Sequence, residues 1–182
     1  MMGNDASVWL GRSMVTAGLA IIAMALLIYA ALHDVAARTV PNWLPAALVL
    51  IGVCARLIDH SLLNGLAIAA VTFAVLFVIW LLRAMGGGDV KLWAATALLI
   101  PPMLQPELAF VLRVVVFGGV LAILYLSLRL LVPKPRASRP SGLLPRVLRA
   151  EAWRICRRAP LPYACAIAGG AIVTLLPLSL QR

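Results

Sequence analysis

Acidic side chains are scarce in this chain. Asp5, Asp34, Asp59, Asp89, Glu107 and Glu151 are the full set in 182 residues, against 16 Lys and Arg. Charged residues of either sign make up 12%, where a soluble domain carries about a quarter. Cysteine is scarce too: Cys54, Cys156 and Cys165 are widely spaced and form no C-x-x-C pair. With His33 and His60 they supply no recognisable set of the roughly four ligands a structural zinc site needs. Neither a metal nor a cofactor is expected. No segment has the form of a nucleic-acid-binding motif. The net charge of +10 therefore points to membrane topology and anionic lipid, not to nucleic acid.

What fills the space is apolar. Hydrophobic residues make up 64% of the chain and its mean hydropathy is +1.04. In lipid each span must satisfy its own backbone hydrogen bonds, so helices are expected. The expectation is an all-α, polytopic integral membrane protein with about six transmembrane helices, forming a single membrane-embedded domain over residues 1–182. Residues 1–13 read as a short polar start. Met14 to Leu32 is an uncharged run close to the roughly 20 residues that span a bilayer. It is too long for a signal peptide and exits through His33-Asp34 in place of a cleavage site, so it reads as a retained helix.

Further spans follow at about Trp43–Leu57, Leu66–Ala84, from Asp89 toward Pro101-Pro102, Leu108–Val132 and Leu161–Leu180. The fourth is too short to cross fully, at about 1.5 Å per residue; it either kinks past the prolines or stops against its neighbours. Gly169-Gly170 in the last span permits close helix packing. Residues 133–160 form the one sizeable loop, with Lys134, Arg136, Arg139, Arg146, Arg149, Arg154, Arg157 and Arg158 against Glu151 alone. Leu143, Leu144, Val147, Leu148, Ala152 and Ile155 recur between those charges at helical spacing, the pattern of a basic amphipathic helix on a membrane surface. Arg38, Arg83, Lys91 and this loop fall on one side of a six-span chain, which the positive-inside rule makes cytoplasmic, with both termini outside. Asp34 and Asp89 then meet the same cytoplasmic boundary.

The chain is organised around Met85-Gly86-Gly87-Gly88-Asp89-Val90-Lys91. Ionisable residues at membrane depth are costly and usually functional, and glycines let another backbone approach closely. Two carboxylates brought together do not both ionise easily and share a proton. One can then deprotonate water while the other protonates a carbonyl or leaving amine. On spacing alone other accounts stay open: Asp34 as a topology-setting residue, Asp89 as a cap of the fourth helix, and Gly86, Gly87 and Gly88 as a turn or close helix contact.

Gly86-Gly87-Gly88-Asp89-Val90-Lys91 resembles the G-x-G-D-x-K signature of the type IV prepilin peptidases, membrane-embedded aspartyl proteases. Asp34, seven residues before Pro41-Asn42, resembles that family's first aspartate segment, and Leu161-Pro162-Tyr163 through Gly169-Gly170 resembles the start of its last helix. The resemblance implies six transmembrane helices, Asp34 and Asp89 as the catalytic pair, and removal of prepilin or pseudopilin leaders at the cytoplasmic face of the bacterial inner membrane. Small size and the missing C-x-x-C pairs are closer to the short enzymes of tight-adherence (Flp-type) pili, so the methyltransferase activity of longer members is expected to be absent. Gly86, Gly87, Gly88, Lys91, Asn42 and Pro41 are the residues expected to shape the site or contact substrate. Lys91 lies about 200° from Asp89 around a helix and is expected to meet lipid phosphate or the turn. Asn42 either bonds across the cytoplasmic mouth or caps the second helix, and Tyr163 reads as an interfacial anchor. The basic loop is expected to bind anionic lipid. The alternative is a small transporter or channel with Asp34 and Asp89 as a proton relay, although no internal repeat is visible.

Overall fold

A computed structural model describes residues 3–131, 142–156 and 161–180. Among these residues there are seven helices and no strand: α1 (Gly3–Ala37), α2 (Trp43–Ile58), α3 (Leu62–Leu81), α4 (Gly87–Ala97), α5 (Leu104–Leu131), α6 (Leu143–Cys156) and α7 (Tyr163–Leu180). Met14–Ala37, Leu62–Leu81 and Leu104–Leu131 are long and apolar enough to cross a bilayer, and Trp43–Ile58 and Tyr163–Pro177 are shorter apolar helices. Three helices reach spanning length, not the six read from the sequence. The membrane assignment itself rests on those three, whose large apolar side chains are widely exposed.

The first span begins at Met14, as expected, and ends later than expected. The polar residues before it are helical too, since α1 starts at Gly3 and runs 35 residues. The helix continues past His33-Asp34, where the uncharged run ends. Ala30, Ala31, Ala36 and Ala37 are strong helix formers, and the Arg38 N–H still reaches the Asp34 carbonyl at 2.8 Å. The helix stops where Arg38 turns left-handed, at φ 57°. Asp34 is thus held on a helix.

α4 is the buried centre. Val90 and Leu92 through Ala97 are all buried, with α2, α3 and α7 packed around them. A helix of 11 residues covers only about 17 Å, and this one stops short of Pro101 instead of kinking past it. Its exit tightens through Leu99 N–H to Thr96 O and Ile100 N–H to Ala97 O, at 2.9 and 3.1 Å. Arg56, only 2% exposed, brings its guanidinium to 3.5 Å from the Leu99 carbonyl and 3.3 Å from Asp59. That satisfies a group which would otherwise be orphaned in an apolar setting.

α7 packs against α1 and α5. At Gly170 an added Cβ would lie 2.7 Å from Val114 Cγ2 and 2.8 Å from its backbone nitrogen, so the two backbones touch. Arg113 donates to the Thr174 hydroxyl on α7 at 2.9 Å. Outside α4, α3 buries only Gly65 and Leu76 and leaves most of its surface for lipid.

Candidate active site

One end of the bundle gathers the C-terminus of α1, the C-terminus of α3 and the N-termini of α4 and α7. The first turns of α4 and α7 carry N–H groups with no helical partner, which favour carboxylates. Asp34 uses one of them. It is 6% exposed, and its Oδ2 accepts the Ala164 N–H of α7 at 3.2 Å. Asp89 occupies the first turn of α4, where its own N–H is bound to the Gly86 carbonyl at 3.1 Å.

The two carboxylates line one cavity of about 740 Å³. Arg38, Met85, Gly86, Trp93 and Tyr163 line it as well. Leu76 and Ile79 of α3 and Val115 of α5 add apolar lining. Trp93 follows Asp89 by one helical turn, so both project from the same side of α4. Its ring stacks on Tyr163 with centroids 6.0 Å apart and meets the edge of Phe110. Tyr163, read from sequence as an interfacial anchor, is a wall of this cavity. Those contacts fix the aromatic wall beside the carboxylates.

The glycines act by closeness, and none of the three takes a positive φ. Gly86 is the extended residue before α4, and a Cβ there would sit 2.9 Å from Asp89 Oδ2. Gly87 and Gly88 belong to the helix itself. Their added Cβ atoms would crowd Trp80 Nε1 at 3.2 Å and Val40 Cβ at 3.3 Å. They let α4 start against the 38–42 segment and the end of α3. Of the three, Gly86 lines the cavity.

Lys91, Asn42 and Pro41 are not among the cavity's lining residues. Lys91 points to the opposite face of α4, as its helical angle requires, and donates to Asn42 Oδ1 at 3.2 Å. Both border a separate apolar groove of about 470 Å³ between α2, α3 and α4. Asn42 precedes α2 but makes no side-chain capping bond, so its partner is Lys91 and not the helix end. Pro41 accepts the Leu44 N–H through its carbonyl at 3.1 Å and shapes the start of α2. His33, next to Asp34, donates from Nδ1 to the Thr39 carbonyl at 2.8 Å.

A second polar group behind Asp34 escaped the sequence reading. Arg38 pairs with Glu151 and contacts Tyr125, and Arg154 reaches the end of α1. The signal was present in part: Glu151 is the sole acid among the bases of 133–160. Of that basic loop, Lys134, Arg136, Arg139, Arg157 and Arg158 lie outside the described residues. Among the described residues no three His, Cys, Asp or Glu side chains gather in a way that holds a metal ion.

Comparison with known proteins matches residues 21–125, more than half of the chain, to the type IV leader peptidase family. The matched stretch includes Asp34, the glycines and Asp89. No curated protein and no solved structure matches the chain.

Proposed function

Because the chain belongs to the type IV leader peptidase family, we propose that it is an aspartyl endopeptidase of the bacterial plasma membrane. Its substrates on this reading are prepilins or pseudopilins, of the tight-adherence (Flp-type) class, cut at the cytoplasmic face. The observation that carries it is the shared cavity: Asp34 and Asp89, from different helices, line one space that apolar side chains of α3 and α5 line as well. A leader peptide needs such a junction, because its cut site lies where a polar segment meets an apolar helix.

The chemistry follows from the carboxylate pair. With one proton between them, the ionised member takes a proton from water and the protonated member donates to the scissile carbonyl. Collapse of the tetrahedral intermediate returns a proton to the leaving amine. The buried surroundings of Asp34 strengthen each of these interactions. Gly86 keeps Asp89 unobstructed and leaves the substrate backbone room to lie extended beside it. Lys91 and Asn42, on the other face of α4, take no part in the proton transfers; they suit the phosphate of a lipid beside the groove they border.

α2, α4 and α7 complete six membrane-embedded segments on this proposal, with α4 stopping inside the bundle. The basic segment 133–160 binds anionic lipid, and the methyltransferase activity of longer relatives is absent. Co-expression with a tagged Flp-type prepilin tests the proposal. A shortened product whose new N-terminus follows a glycine is the expected result. An uncut precursor, across several correctly inserted prepilins, overturns it.

A further inference from the structure

The last turn of a helix leaves carbonyls without an intrahelical donor. In α1 these belong to the residues just after Asp34, and the donor comes from far along the chain. Arg154 of α6 donates from Nη1 to the Val35 carbonyl at 2.7 Å and from Nη2 to the Ala36 carbonyl at 3.0 Å. A guanidinium is suited to this role, with its donors in a fixed planar fork. The same Nη1 lies 3.1 Å from Oε2 of Glu151, one turn earlier on α6.

Glu151 joins this cap to a second clamp. Its Oε1 pairs with Arg38, the residue that ends α1, and accepts the Tyr125 hydroxyl of α5. Arg38 also donates to that hydroxyl at 3.2 Å, and its guanidinium lies 5.5 Å from the centre of the Tyr125 ring. The side chains of Arg38 and Glu151 are 16% and 14% exposed. Charge-assisted hydrogen bonds withdrawn from water to that degree are stronger and more orienting than surface pairs. So α5, α6 and the end of α1 meet at one carboxylate, within a turn of Asp34.

We propose that α6 is a positioning element for the candidate active site, with Arg154 and Glu151 holding the end of α1 so that the Asp34 carboxylate stays against the Ala164 N–H and facing the cavity. The proposal rests on the reading of Asp34 and Asp89 as the catalytic pair. Neither Arg154 nor Glu151 is needed to touch substrate. Their effect passes through the backbone of residues 34–38. A displacement of about 1 Å at a reacting group costs on the order of 100-fold in rate, so loosening this turn falls on turnover and not on substrate affinity.

The test uses the full chain in lipid nanodiscs with a tagged Flp-type prepilin. Arg154→Ala is expected to lower kcat about 10-fold or more with KM within about twofold, and Arg154→Lys to recover part of that loss by donating to one carbonyl. Hydrogen exchange at the amides of residues 35–40 should quicken in Arg154→Ala. Faster exchange with an unchanged kcat makes α6 a structural staple alone and overturns the proposal. So does a raised KM at constant kcat, which makes α6 a substrate surface. If Arg154→Ala does not fold, Glu151→Gln gives the same reading: a lower kcat at constant KM upholds the proposal and wild-type kinetics overturn it. Wild-type protein that leaves the prepilin uncut refutes the peptidase reading instead, and slower-than-expected exchange in Arg154→Ala, equal to wild type, then refutes the clamp separately.

Discussion

At the scale of single residues, the proposed chemistry depends on where two carboxylates sit and what keeps their surroundings clear. Gly86 is the sharpest case, since the atom nearest an added Cβ is the movable end of Asp89 and not backbone. Gly86→Ala should leave the fold intact, push the Asp89 carboxylate aside and lower kcat on the order of 10- to 100-fold. Cleavage kinetics beside a thermal-unfolding scan checks this: equal stability with reduced kcat is the expected pair of results. Lys91 belongs to the opposite face of α4, with Asn42. Lys91→Met is expected to keep kcat within about threefold of wild type, because no proton transfer runs through it; the same kinetic assay decides.

At the scale of elements, α4 and its neighbours depend on small residues. Gly170→Ala forces a methyl into the Val114 backbone, which cannot swing away as a side chain can. Overpacking of this kind destabilises by about 1–3 kcal/mol, so the variant should unfold at a lower temperature in detergent. Gly119→Ala, with nothing within 4 Å, should not. The helices themselves were legible wherever an apolar run met a proline or glycine. Trp43–Ile58 follows Pro41-Asn42, and α4 opens within the glycines and closes before Pro101. The end of α1 was misread because His33, Asp34 and Arg38 look like a polar connection, whereas alanines around them continue the helix. The clamp behind Asp34 was illegible for another reason. An amphipathic pattern in 143–156 shows that one face is apolar, but not what the polar face touches, and Arg154 and Val35 lie 119 residues apart. Tyr125, inside an apolar run, gave no sign that its hydroxyl meets Glu151.

At the scale of the whole molecule, the ends of α1 and α3 and the starts of α4 and α7 share one face, which carries both aspartates and α6. Arg38, Arg83, Lys91 and Arg154 belong to the elements at that end, and on the proposed function the positive-inside rule predicts that it faces the cytoplasm. Cysteine accessibility in intact cells tests the orientation after the three native cysteines are replaced. Ala84→Cys, exposed beside the glycines, should resist an impermeant thiol reagent until the cells are opened. Met103→Cys, exposed between α4 and α5, should react from outside. The reverse labelling would place both aspartates on the wrong face for leader cleavage.

The pairing of Asp34 with Asp89 in one proton-sharing site is tested most directly by turnover of a tagged prepilin in proteoliposomes. Wild type is compared with Asp34→Asn, Asp89→Asn and the double variant. Removing either carboxylate should cost at least about 100-fold, and the double variant should lose no more than each single one, as groups acting as a unit do. Near-normal turnover in either single variant, with the protein correctly inserted, would contradict the account.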